Sequence, residues 1–188
     1  MAKTPVPVKF TYEDYKNLPE SERERYELLG GELVMVPAPD WFHQSIAAAV
    51  FRALDSFVRA QEPGEVRFAP LDIVLSQHDV VQPDLIFLAR EHLQVVREGV
   101  IRGAPDLVVE ILSAATERRD RTYKRTLYAR HGVREYWLVD PNAQTVEVLT
   151  LGKRGYRRAA LYTRDQTLKS PLLPGLEIPL DEVFLISI

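Results

Sequence analysis

The sequence predicts an α/β or α+β protein whose mixed central β-sheet is flanked by helices. Three observations carry that class. An amphipathic helical stretch precedes three strand-like runs, a second helical stretch with a glycine stop follows them, and one more strand-like run ends at an Asp-Pro-Asn turn. With 188 residues the chain is long enough for one domain with a sizeable core. A single domain over 1–188 is expected, with a hairpin at 26–36, a core over 43–139 and an extension over 143–188.

In order along the chain, Thr11 and Ser21 each precede an acid by three residues, Asp14 and Glu24, a spacing that suits the N-termini of one or two short helices. Tyr26 to Val36, YELLGGELVMV, is two strand-like runs about Gly30-Gly31, a hairpin signal stopped by Pro37 and Pro39. Asp40 stands where it would cap the next element. From His43 to Gln61 the apolar residues Ile46, Val50, Ala53, Leu54, Phe57 and Val58 recur at helical spacing, ending before Pro63-Gly64. Strands are expected at Val66 to Ser76, Val80 to Ala89 and Asp106 to Leu112, with a polar, irregular or partly helical piece at Arg90 to Gly103. Thr116 to His131 ends at Gly132 and predicts a helix of about four turns. Arg134 to Val139 returns to strand character. Thr145 to Thr150 and Tyr156 to Tyr162 predict a small antiparallel extension, followed by a proline-punctuated tail.

At 46% hydrophobic and 27% charged residues the composition is that of a folded globular protein, so disorder is excluded as the main state. The absence of cysteine excludes disulfides, thiolate zinc sites and cysteine nucleophiles. Any metal must therefore be held by oxygen or imidazole. The N-terminal MAKTPVPVKFTYEDY lacks a signal-peptide core, and no apolar run approaches the roughly 20 residues of a membrane span, so a cytoplasmic protein without membrane partners is expected. The net charge of −3 gives no global basic footprint.

Two acids stand out against their surroundings. Glu110 lies in APDLVVEIL and Asp84 in QPDLIFLA, and an ionised carboxylate among Leu, Ile, Phe and Val is costly unless compensated. If the two strands pair and direct both acids to one face, the carboxylates converge. Mg²⁺ (or Mn²⁺) is then the simplest compensation, held by Asp84 and Glu110. Lys124 lies eight residues past Thr116, about 12 Å back along the helix, and Glu110 is about 7 Å before the strand end. A lysine stem spans that difference, from a helix face shared with Asp120 and Tyr128. Two acids, a cation and a lysine make a phosphodiester-cleaving arrangement. Read alone, each residue has a plainer role: Asp84 as a backbone-bonding residue at a strand start, Glu110 in a salt bridge to a helix arginine, Lys124 as a solvated helix lysine.

The segments YELLGGELV, PDWFHQSIAAAVFRAL, VVQPDLIFLA, GAPDLVVEILSAATERRDRTYKRTLYARHGVREYWLVDP and TLKSPLLPGLEI run in the order seen in a known family. On these segments the chain resembles the Uma-type family of endonucleases, within the restriction-endonuclease-like PD-(D/E)XK superfamily. The resemblance spans Tyr26 to Ile178. It implies a core of helix, three strands, helix and strand, and it assigns the PD aspartate to Asp84 and the second motif acid to Glu110. The superfamily pattern has lysine two residues past that acid, where this chain has Leu112. Lys124 looks like the migrated replacement.

The function expected from these readings is metal-dependent DNA phosphodiester hydrolysis by an endonuclease, working as a homodimer if two symmetric sites cut two strands. The resemblance implies products with a free 3′ hydroxyl and a 5′ phosphate. Glu32 is a further acid for the metal's water shell. His43 is a cap, second partner or phosphate contact, and Arg118, Arg119, Arg121 and Arg125 are candidate nucleic-acid contacts. The alternative is a catalytically inactive nuclease-fold module that binds nucleic acid or regulates.

Overall fold

The computed structural model describes residues 8–19 and 25–185. Helix α1 (Tyr12–Lys16) begins with a capping box in which Thr11 and Asp14 satisfy each other's backbone amides. Ser21 and Glu24, the second expected cap, lie outside the described residues. Strands β1 (Arg25–Leu29) and β2 (Glu32–Val36) form the hairpin. Its turn places Gly30 at φ +60° and Gly31 at φ +85°, the left-handed backbone that glycine adopts without strain. Helix α2 (Trp41–Gln61) is capped by the Asp40 carboxylate, which accepts from the His43 amide at 2.8 Å. It buries Ile46, Val50, Leu54 and Val58, one stripe at i, i+4 spacing, and each aliphatic contributes about 1.5–3 kcal/mol by leaving water.

Strands β3 (Gly64–Phe68), β4 (Ile73–Ser76), β5 (Asp79–Val81) and β6 (Leu85–Ala89) follow. The two runs expected as single strands, Val66 to Ser76 and Val80 to Ala89, are each divided between two sheets. Pro70 and Pro83 stand at the breaks, where a residue without an N–H cannot continue a ladder. The piece expected as irregular holds a 3₁₀ turn (Arg90–Val95) and the short strands β7 (Val96–Arg97) and β8 (Val100–Arg102). Then come β9 (Leu107–Ile111), a helical stretch of α3 (Glu117–Arg119), a π turn (Asp120–Lys124) and α4 (Arg125–His131), and β10 (Glu135–Asp140). The long hairpin β11 (Thr145–Gly152) and β12 (Gly155–Thr163), the pair β13 (Thr167–Lys169) and β14 (Glu177–Pro179), and α5 (Leu180–Val183) complete the order.

Two six-stranded mixed sheets result, ordered β2-β1-β5-β4-β8-β7 and β12-β11-β10-β9-β6-β3. In the second, β9 runs parallel to β10 and antiparallel to β6. One face of this sheet presents Leu107, Val109 and Ile111 to α2 and the C-terminal segment around Leu173 and Phe184. The other presents Val108 and Leu112, with Leu127 and Tyr128 of α4 and with Leu29, Ile73 and Val81 of the first sheet. Because strand side chains alternate, Glu110 shares the second face with Val108 and Leu112. Among the described residues no helix is long and apolar enough to cross a membrane.

Candidate active site

The register of β6 and β9 pairs Ile86 with Val108 and Leu85 with Val109. Extended by one residue beyond the end of β6, the same register sets Asp84 opposite Glu110, and residues directly opposite share a face. Both line a cleft of about 610 Å³, together with Glu27, His43, Gln82, Asp120 and Lys124. Asp84 follows Pro83 immediately before β6, and its Oδ2 accepts the Ile111 amide at 2.7 Å. His43 Nε2, on the first turn of α2, lies 3.3 Å from the same oxygen.

The helical stretch supplies the cation. Lys124 Nζ lies 2.8 Å from Glu27 Oε1, 3.0 Å from Glu110 Oε1 and 3.6 Å from Asp120 Oδ1, with the lysine only 4% exposed. The π turn holds both Asp120 and Lys124, and both are buried. The Tyr128 hydroxyl donates to Glu110 Oε1 at 2.7 Å. Three carboxylates thus surround one ammonium, with Asp84 a fourth acid on the same cleft. Two of the oxygens, Glu27 Oε2 and Asp120 Oδ1, are buried without a hydrogen-bond partner.

The protonation equilibria follow from this crowding. Burial pushes the Glu110 carboxyl well above the ordinary carboxylate range; Lys124 opposes this, while Asp120, Asp84 and Glu27 reinforce it. Burial also raises Asp120. Burial alone would lower Lys124, yet Glu110, Glu27 and Asp120 outweigh it and hold the ammonium charged. For His43, burial is again the lowering influence, and the hydrogen bond and charge of Asp84 turn the net shift upward.

The donor set fits a hard divalent cation. Among the described residues, Asp84 Oδ1 and Glu110 Oε2 take no hydrogen bond, while their companion oxygens are engaged. Four carboxyl groups, of Glu27, Asp84, Glu110 and Asp120, line the cleft with Lys124, more than one ammonium could neutralise if all were ionised. Among the described residues no three His, Cys, Asp or Glu side chains converge as a ready metal cage. Two carboxylates with water and substrate phosphate completing the shell are what Mg²⁺ ordinarily takes, whereas zinc would need more nitrogen or sulfur.

The other sequence-derived candidates are placed as follows. Glu32 is exposed on β2 and is not among the cleft-lining residues; Glu27, on the neighbouring strand, occupies the cleft instead. Of the arginines, only Arg119 lines the cleft. Arg121 is engaged by Glu117, Asp140 and Glu147, Arg118 is exposed, and Arg125 donates to the Tyr156 carbonyl at 3.3 Å. Two further acids, Asp72 and Asp106, are held in structural bonds away from the cleft: Asp72 accepts from Tyr15 and Gln82, and Asp106 from the Ala89 amide, His92 and Arg134. Glu27 is the cluster member that sequence reasoning misses. It carries the same signal as Glu110, a charge inside an apolar strand run, YELL.

Comparison with known proteins agrees with this architecture. Residues 12–181 match the Uma2 family, described as "Putative restriction endonuclease". A solved structure titled as that of a "putative nuclease belonging to DUF820" from Anabaena variabilis ATCC 29413 superposes with a TM-score of 0.77 at 23% identity, covering 95% of this chain and 98% of that one. No curated protein matches. With the family matched across 12–181 and the fold shared with that structure, the chain belongs to the Uma2 family.

Proposed function

We propose that this protein is a metal-dependent DNA endonuclease whose cation is held by Asp84 and Glu110. The observation that carries the reading is that Asp84, immediately before β6, and Glu110, on β9, line one cleft, each with one oxygen left free, beside the buried Lys124 ammonium. Bound Mg²⁺ or Mn²⁺ supplies positive charge to the scissile phosphate and eases deprotonation of the attacking water. The protein's own groups do the rest. The Ile111 amide and His43 fix Asp84, and Tyr128 and Lys124 fix Glu110, so the free oxygens are held in place before substrate arrives. Lys124 sets a permanent positive charge in the cleft wall, where it stabilises the charge that develops on the phosphorane as water attacks phosphorus and the bond to the 3′ oxygen breaks. The second reading is a nucleic-acid-binding module without turnover, favoured by the engagement of Lys124 with three carboxylates.

The test is cleavage of supercoiled, linear and branched DNA with Mg²⁺, Mn²⁺ or EDTA, beside Asp84→Ala. Cutting should require the cation and vanish in the variant. Cutting that survives in Asp84→Ala would overturn the assignment.

A further inference from the structure

We propose that the β11–β12 hairpin is a second nucleic-acid contact, a rigid phosphate-binding anchor for duplex DNA at the opposite end of the sheet from the cleft. The proposal rests on the nucleic-acid substrate inferred above and names how the duplex is held. Between Val148 and Arg164 the sequence holds five cations, Lys153, Arg154, Arg157, Arg158 and Arg164, and no carboxylate. Taking these five from the total of −3 leaves the rest of the chain at −8. The hairpin is therefore a strongly basic spot on an acidic protein, the kind of footprint that attracts a polyanion.

These cations are unspent, unlike several of the basic side chains nearer the cleft. Arg121, Lys124, Arg130 and Arg134 each face an acid. Lys153, Arg154, Arg157 and Arg158 are all exposed and form no ion pair among the described residues. An ion pair must be broken before an arginine can take a phosphate; here none stands in the way.

The element that carries them is held firmly. β11 and β12 are paired from Thr145 opposite Thr163 to Gly152 opposite Gly155. The Tyr156 hydroxyl donates to the Val133 carbonyl at 2.7 Å, its ring meets Tyr136 at 5.8 Å, and Arg125 donates to its carbonyl. Cations on a fixed ladder lose less freedom on binding than cations on a mobile loop. Arg158 lies opposite Leu149, whose side chain packs with Tyr128 and Tyr136, so Arg158 shares the face of the sheet that carries Glu110.

Position selects an extended ligand. β11 begins opposite Asp140, beside the cleft residues Pro141 and Asn142, and runs away from it. Lys153 is eight residues past Thr145, about 26 Å at ~3.3 Å per residue. At ~3.4 Å per phosphate along one strand, that separation is about eight base pairs. A free phosphate or a nucleotide cannot span both places. A duplex can, with its phosphates reaching the cations grouped around the tip and outer edge of the hairpin.

The test is fluorescence anisotropy of a labelled 30-base-pair duplex in EDTA, across a range of NaCl, so that binding is read without cleavage. One variant carries Lys153→Gln, Arg154→Gln, Arg157→Gln and Arg158→Gln; a second keeps the charge with Arg154→Lys, Arg157→Lys and Arg158→Lys. All four positions are exposed, and melting curves should superimpose on wild type. The glutamine variant should bind roughly tenfold or more weakly at 0.1 M salt, and its slope of log K against log [NaCl] should be shallower by about 3 to 4, near 0.9 for each phosphate no longer neutralised. The lysine variant should keep most of both. An unchanged affinity and slope in the glutamine variant overturn the anchor, even where wild type cuts DNA in an Asp84-dependent way. Loss of binding in that variant from a wild type that never cuts supports the anchor and removes the nuclease reading. Tighter binding to anionic phospholipid vesicles than to the duplex, at equal phosphate, also overturns it.

Discussion

Replacing Lys124 with methionine keeps the length of the side chain and removes the ammonium that three carboxylates of the cluster share, leaving Arg119, 3.9 Å from Glu27, as a more distant cation. In the wild type the ammonium sits 2.8 Å from Glu27 and 3.0 Å from Glu110, with Asp120 at 3.6 Å, and all four groups are buried. Removing one partner of a buried ion pair costs about 3–5 kcal/mol, because the remaining charge is left desolvated and unpaired. For a chain of this size each kcal/mol is worth about 2–4 °C, so Tm should fall by about 6 to 20 °C. Differential scanning fluorimetry and urea titration read this directly. Adding Glu27→Gln to Lys124→Met should recover part of the loss, since one orphaned carboxylate goes with it. Mn²⁺ should raise the Tm of Lys124→Met by at least as much as that of wild type, because a cation between Asp84 and Glu110 takes over the neutralisation. A loss below about 1 kcal/mol, the scale of an exposed ion pair, would refute the reasoning.

Three further outcomes are expected. Asp79 accepts from the Gly30 amide, Ser76, Tyr123 and Arg130, and although burial raises its pKa these donors outweigh it and the net shift is downward. Its stabilisation is therefore complete above the ordinary carboxylate pKa of ~3.9 and is lost as pH falls through the lower folded value; Asp79→Asn should cost about 1–3 kcal/mol at pH 7 in urea melts, and the gap to wild type should narrow only as the pH falls below the ordinary carboxylate range. Glu135 accepts from Trp137, Ser170 and the Leu172 amide, so Glu135→Ala should lower stability by about 3 kcal/mol and speed tryptic cleavage at Lys169. Tyr128→Phe removes the 2.7 Å donor to Glu110 and should cost about 1–3 kcal/mol with the fold unchanged by circular dichroism.

The sequence carries the order of the core elements because each has a local signature: the i, i+4 stripe of α2, the apolar runs of β6 and β9, the glycine after α4. The division of two of those runs between sheets is harder to read. Pro70 and Pro83 announce interruptions, yet only tertiary pairing decides that β4 and β5 leave for another sheet. Asp84 and Glu110 are visible as charges out of place, and their opposition depends on a register that the hydrophobic pattern alone restricts only to one face. Glu27 is less legible than Glu32 because a hairpin has two faces, and composition does not say which turns toward a partner sheet. The π turn at Asp120–Lys124, which brings two charged side chains into one buried cluster, has no sequence marker in this chain.

Joint binding of one divalent cation by Asp84 and Glu110 is the step on which the proposed chemistry depends. Isothermal titration calorimetry with Mn²⁺ measures it without a substrate, on wild type, Asp84→Ala and Glu110→Gln at matched ionic strength. Wild type should show a single saturable site, lost in both variants, each of which should remain folded. A wild type that takes up no Mn²⁺, or an Asp84→Ala variant that binds it with unchanged affinity, would rule out a cation site shared by Asp84 and Glu110.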